Sequence, residues 1–136
     1  MEQDPRIWGA QHIGNREEQQ DRWDAYEQGD AICLLLSDGM GGMTDGGRAA
    51  QTAVQEAKTA LAEGLCPQQA LLRAARAVYD EAARCGADGK TGATLIVACV
   101  EDGGLDWAAA GDSRLFLCRE GKLIQLTHDH NYAYTL

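Results

Sequence analysis

"LLLSDGMGGMTDGG", residues 34 to 47, runs from an unbroken apolar stretch into one aspartate and then into a backbone almost bare of side chains. A continuous apolar run such as Ile32 to Leu36 shows no alternation that would leave one side wet, so it reads as a strand buried on both faces. Asp38 then leaves a sheet core directly into a turn. Glycines at 39, 41, 42, 46 and 47 permit positive φ and close approach of backbone to another group, at an entropic cost. A plain surface loop has the same composition, so chemistry here requires partner residues elsewhere in the chain.

Working outward, residues 7 to 13 and 30 to 37 read as strands flanking "GNREEQQDRWDAYEQG", which is too polar to be core. From Gly47 to about Ala62, the residues Ala49, Ala50, Ala53, Val54, Ala57, Ala60 and Leu61 recur at helical spacing and make one apolar stripe. Gly64 is a stop signal. Pro67 suits the first turn of a second helix, whose face is Leu71, Ala74, Ala75, Val78, Ala82 and Ala83 and whose end is Gly86. After "GADGKTG" come β-type segments, "ATLIVACVE", "LDWAAAGD", "RLFLCRE" and "KLIQLT", joined by hairpin chemistry at "EDGG" and "REGK". Strands, two helices, then a meander of strands predict an α+β fold with a mainly antiparallel sheet, not alternating βαβ units.

A chain of 136 residues has the size of one domain. Its formal net charge of -9 argues against a nucleic-acid or anionic-membrane partner, because phosphate surfaces select basic faces. Cysteines 33, 66, 85, 99 and 118 are odd in number and include no C-x-x-C pair. They read as small buried hydrophobes in a reducing compartment. No apolar run approaches the ~18 residues of a membrane span and no leader-like apolar segment opens the chain, so a cytoplasmic location is expected.

Three aspartates sit where strands should end: Asp21 after the polar segment, Asp38 after the apolar strand, and Asp112 in "AAAGDSR". Converging carboxylates repel one another and need a cation. Hard oxygen ligands without neighbouring His or Cys favour Mg²⁺ or Mn²⁺ over zinc. Two such ions roughly 3.5 to 4 Å apart can bridge a water, lower its pKa and orient it for attack on phosphorus. Arg16, five positions before Asp21, offers a planar fork to phosphate oxygens, or else a solvated balance to Glu17 and Glu18. Asp112 and Arg114 read equally as a turn-capping Asp and a surface Arg. His128 and His130 lack a third nitrogen or sulfur partner and read as surface histidines; Trp8, Trp23 and Trp107 read as packing residues with a wet edge.

"GNREEQQD", "SDGMGGMTDGGRAA", "TGATLIV" and "AAAGDSRLFLCREGKLIQLTHDH", in this order and spacing, resemble the protein phosphatase 2C (PPM) family of metal-dependent protein Ser/Thr phosphatases. Met40, where animal members usually have His, is similar to the bacterial branch. The resemblance implies a β-sandwich flanked by helix pairs with a binuclear Mn²⁺ or Mg²⁺ centre at one end of the sheets, and phosphorylated Ser/Thr proteins as substrates, opposing a bacterial Ser/Thr kinase. It further implies that Asp38 bridges both metals, that Gly39 is a ligand through its carbonyl, and that Asp21 supports the centre through water with Gln20 beside it. By the same resemblance Arg16 binds phosphate, Asp112 takes part in a third, weaker metal site, and Thr91 to Thr94 form a packing strand without chemistry.

Gln19, Met43 and Gly47 depart from the family's usual Asn, His and Glu. The larger departure is that the blocks correspond to the first half of the domain: no "SDGL" or "DN" aspartate follows, and no Asp stands after 129. The expectation is therefore a partial α-β-β-α sandwich over residues 1–136, truncated at its C-terminal side, with a weakened metal pair. Either the sequence is a fragment of a longer phosphatase, or it is a natural short form whose open sheet is covered by a homodimer or by swapped elements. A catalytically impaired, phosphatase-like binding module is the alternative function.

Overall fold

The computed structural model describes residues 6–16, 18–40, 46–86 and 91–130. Among these residues seven strands and two helices follow in the order β1 (Asp21–Gln28), β2 (Ala31–Met40), α1 (Gly46–Ala62), α2 (Pro67–Arg84), β3 (Gly92–Ala93), β4 (Leu95–Glu101), β5 (Gly104–Ala110), β6 (Phe116–Arg119) and β7 (Lys122–Gln125). The main sheet has the order β1-β2-β4-β5, with β3 adding to the end of β2, and β6-β7 form a separate hairpin. Every pairing is antiparallel. The helix pair covers one face of the main sheet, giving the expected α+β half-sandwich.

The apolar run at 32–36 becomes the central strand because β2 has neighbours on both sides, but it is not buried on both faces as expected: Cys33 and Leu35 lie under the helices while Leu36, on the other face, is 41% exposed, and the strand runs two residues past Asp38 to Met40. Cys33 and Leu35 from β2 and Leu95 and Val97 from β4 meet Ala53, Val54, Ala57, Ala60 and Leu61 of α1, with Ala70 and Ala74 of α2 behind them. Alanine at the inner positions lets both helices lie close to the sheet. Ala57, fully buried, is the tightest test: Ala57→Leu is expected to overpack the layer and cost about 1–3 kcal/mol. Urea midpoints compared with Ala62→Leu, on the exposed end of the same helix, check it; equal midpoints would refute the close-packing account.

Helix α2 begins as its sequence suggests, with Pro67 in the first turn and the Cys66 amide donating to Gln69 Oε1 at 3.1 Å. The hairpin turns are tighter than glycine alone explains. Asp102 and Gly103 have φ of 51° and 73°, and Glu120 and Gly121 have 53° and 74°. Both turns thus carry two successive left-handed residues, the geometry that matches strand twist.

Three further expectations are corrected. Residues 7–13 are not a strand; the strand lies inside the supposedly non-core polar segment, as β1. An edge strand with one neighbour keeps half its surface in solvent, so its polar composition hid it. Segment 7–13 instead lies over β1, where a Cβ on Gly9 would stand 2.6 Å from the Trp23 ring. Trp8 is 84% exposed and packs on little. Of the cysteines, Cys66, Cys85 and Cys118 are exposed; only Cys33 and Cys99 serve the interior. These two face each other across β2 and β4 with sulfurs 3.5 Å apart, and burial pushes the Cys99 thiol up to about 12, which keeps it neutral. Among the described residues no helix is long and apolar enough to cross a membrane.

Candidate metal and phosphate site

The acidic residues gather at one end of the main sheet because the strand register sends them there. Asp21 of β1 is paired directly with Asp38 of β2. On the other side of β2, Leu36↔Ile96 and Gly39↔Ala93 share one register, which sets Thr94 across from Asp38. The β4–β5 register, through Leu95↔Ala110, continues the row to Gly111, and Asp112 follows. A single transverse row, Asp21, Asp38, Thr94, Gly111, therefore crosses four chain segments at the sheet end.

Asp38 registers its surroundings in its ionisation. Partial burial raises its carboxyl above the ordinary value, followed by hydrogen bonding to Asp21, the charge of Asp21 and the charge of Asp112; Arg16 opposes them. Asp38, Asp21, Asp112 and Arg16, the four predicted site side chains, thus lie within electrostatic reach of one another. Arg16 is exposed, and none of the ion pairs among the described residues involves it. Glu17, its alternative partner in the sequence, lies outside the described residues, as do Gly41, Gly42 and Met43.

Gly39 is required by packing. A Cβ there would stand 1.9 Å from the Gly46 carbonyl oxygen and 2.8 Å from that of Gln20. The end of β2, the approach to β1 and the first turn of α1 meet at this point, and the Gly39 amide donates to Gln20 O at 3.0 Å. A Cβ on Gly46 would run into the Gln20 side chain, and one on Gly47 would stand 2.6 Å from Glu18 Oε1 and 3.0 Å from the Arg22 guanidinium. The absent Glu at position 47 has its reason here: the space is filled from the 18–22 segment. Arg22, not singled out from the sequence, holds that segment by donating to the carbonyls of Gln19 at 2.5 Å and Asp21 at 2.8 Å.

The other unforeseen residue is Thr94, taken from the sequence as mere packing. Its amide donates to Asp38 O at 2.9 Å, while the Asp38 amide donates to Thr94 Oγ1 at 2.9 Å. Thr94 Oγ1 also bonds Ser113 Oγ at 2.5 Å. Gly111, at φ 100°, gives room: a Cβ on it would lie 2.6 Å from Thr94 Cγ2. His130, read as a surface residue, pins the same loop by donating its amide to Gly111 O at 2.9 Å and accepting from the Gly111 amide at Nδ1, 3.3 Å. Arg114 forks onto Asp129 at 3.0 and 2.6 Å, and its hydrogen bonds, with its charge behind them, hold the Asp129 carboxyl below the ordinary range. Arg114 is thereby committed to the loop.

As a donor set the row fits a hard divalent cation in kind: carboxylates crowded against one another, with no sulfur or imidazole among them. It falls short in number. Among the described residues no three carboxylate, imidazole or thiol side chains close on one point as a ready-made metal site. Asp21 and Asp38 make the near pair, and Asp112 acts on Asp38 through its charge. An apolar cavity of about 360 Å³ opens beside α2, and none of its walls is a carboxylate.

The protein phosphatase 2C sequence profile matches residues 8–135. A Stage II Sporulation E family protein from Thermanaerovibrio acidaminovorans is 41% identical with a TM-score of 0.74, over 81% of this chain and 54% of that one. The Mycobacterium tuberculosis serine/threonine phosphatase PstP/Ppp is 28% identical with a TM-score of 0.68, over 88% of this chain and 52% of that one. The catalytic domain of PstP in complex with two manganese ions is 27% identical with a TM-score of 0.71, over 88% of this chain and 53% of that one. The chain thus spans about half the length of these structures. Matched along nearly all of its own length in sequence, and in its half-sandwich by solved phosphatases, the chain belongs to the protein phosphatase 2C family.

Proposed function

We propose that residues 1–136 supply the phosphate-binding and first metal-binding part of a phosphatase that hydrolyses phosphoserine and phosphothreonine in proteins, in the cytoplasm and opposite a Ser/Thr kinase. The observation that carries this reading is the register of Asp21 with Asp38, with Asp112 and Arg16 acting on the same carboxyl. Asp38 would be the ligand shared by two Mn²⁺ or Mg²⁺ ions. Gly39 would add its carbonyl, Asp21 would act through water, and Asp112 would serve a weaker third site. The PstP structure with two manganese ions supports this choice of cofactor.

Divalent ions held by Asp38, with Asp21, Asp112 and the Gly39 carbonyl, would supply neutralisation of phosphate charge and a more acidic water, the chemistry that hydrolysis of a phosphoester requires. The protein's own part is orientation and charge. The raised Asp38 carboxyl holds a proton more readily than a free aspartate and surrenders it when a cation arrives. Arg16 presents an uncommitted guanidinium to the phosphate oxygens, where a fork fixes the angle as well as the charge.

A second reading, a phosphatase-like binding module, is favoured by one observation: no three donors converge among the described residues. Calorimetric titration of the chain with Mn²⁺ separates the two. The enzyme reading expects two-site binding and hydrolysis of an aryl phosphate that Arg16→Ala slows by about 10²-fold or more, the scale of a lost charge contact to the reacting group. Heat no larger than dilution, with no hydrolysis, would leave the binding module.

A further inference from the structure

We propose that the Thr94 hydroxyl is a positioning element of the acidic site, replacing one rung of the sheet's hydrogen-bond ladder so that β2 and the Asp112 loop are fastened together at Asp38. This rests on the metal-binding reading of the site, and it assigns chemistry to a residue that otherwise reads as packing.

The observation is an exchange of partners. Two residues facing each other in a hydrogen-bonded antiparallel pair donate to each other's carbonyls. Register places Asp38 and Thr94 opposite each other, and half the exchange is present, since the Thr94 amide reaches Asp38 O at 2.9 Å. The other half is diverted. The Asp38 amide goes to Thr94 Oγ1 at 2.9 Å, and the Thr94 carbonyl is taken by Ser37 Oγ at 2.5 Å. The strand is interrupted at this residue, between β3 and β4.

The two residues at the centre of this exchange are withdrawn from water. Ser37 and Thr94 are buried, so each polar atom must find a protein partner or bear a desolvation penalty. A hydroxyl has one proton to donate and two lone pairs. Thr94 Oγ1 spends one lone pair on the Asp38 amide, and the remaining capacity serves Ser113 Oγ at 2.5 Å. Ser113 adjoins Asp112. One oxygen thus ties the backbone of the central aspartate to the loop that carries the third aspartate, beside the single ladder bond from the Thr94 amide to Asp38 O. Like-charged carboxylates push this corner apart, and a link through neutral hydroxyls holds it without adding charge.

Three variants in the full chain test the assignment: Thr94→Val keeps the shape and deletes the hydroxyl, Thr94→Ser keeps the hydroxyl, and Ser113→Ala cuts the loop end only. Two quantities are read: amide hydrogen exchange without metal and Mn²⁺ affinity by calorimetry. Thr94→Val is expected to speed exchange at Asp38 by about tenfold relative to Leu34 and Leu36, and to weaken Mn²⁺ by about five- to tenfold, the scale of one lost hydrogen bond. Thr94→Ser should restore both to within about twofold, and Ser113→Ala should weaken Mn²⁺ by about threefold while sparing the Asp38 amide.

Unchanged Mn²⁺ affinity in Thr94→Val, with the parent binding Mn²⁺, overturns the proposal. If the parent binds no Mn²⁺, the metal reading fails by itself and exchange decides: equal protection of Asp38 in parent and Thr94→Val overturns the positioning role. If Thr94→Val does not fold, Ser113→Ala decides, and Mn²⁺ affinity equal to the parent's counts against it.

Discussion

Gly39→Ala is expected to lose at least about 3 kcal/mol and to melt roughly 10 °C or more below the parent, the largest effect expected of a methyl added at any glycine among the described residues. The added carbon would sit 1.9 Å from the Gly46 carbonyl oxygen, with Gln20 O at 2.8 Å on another side. Both obstacles are backbone, so no rotamer change relieves them. Relief would require moving the first turn of α1 or parting β1 from β2, and each move disturbs the pairing of Asp21 with Asp38. Gly46→Ala is the matched control, because its nearest obstacle is the flexible Gln20 side chain at 2.8 Å. A melting temperature for Gly39→Ala within about 2 °C of the parent would show that the junction yields and that the account of Gly39 is wrong.

Asp38→Asn should move affinity and stability in opposite directions. Mn²⁺ affinity should fall by about 100-fold or more, since cation binding follows the charge and number of ligands and the central one is removed. Metal-free stability should rise. A carboxyl raised on folding from the ordinary 3.8 binds protons more tightly in the folded state. It follows that stability declines as pH climbs through the window between the unfolded and folded values, and stays at the lower level above it. Asn carries no charge and removes that slope. Because Asp38 is solvent-exposed, screening limits the gain to about 2 °C in melting temperature near neutral pH. Melting curves from pH 3 to 8 without metal, parent against variant, read the sign. A variant less stable than the parent at neutral pH would show that the carboxylate cluster is not under repulsion.

Much of this arrangement was legible in the sequence because its signals are local. The continuous apolar run 32–36 marked the central strand, although only one of its faces is buried, and the apolar stripes of 49–61 and 71–83 gave the helices, although in the second the buried Ala70 was missed and Ala75 and Ala83 are exposed. Asp38 was conspicuous as the charge that ends the run. What escaped reading depends on neighbours far along the chain. The polar edge strand β1 is a strand because β2 pairs with it, and no periodicity in Asp21–Gln28 announces that. Ile7 to Ile13 has a strand-like composition and no ladder. Thr94 looked inert because a threonine in an apolar segment is ordinary; its role appears only when register sets it opposite Asp38, 56 positions away. Gly39 was noticed for the right position with an incomplete reason: openness toward a bound group had been inferred, and contact with α1 is what the fold demands.

Thr94 and Gly111 also share one volume. The methyl that threonine carries and the one that glycine omits would occupy the same few cubic ångströms between adjacent strands. Shrinking 94 does not open position 111, because the Thr94 Cβ at 2.8 Å, its Cα at 3.2 Å and the φ of 100° stay behind. Alanine at 94 would forfeit the oxygen that Asp38 leans on, whereas serine keeps it. Glycine at 111 should therefore hold constant while 94 alternates between threonine and serine.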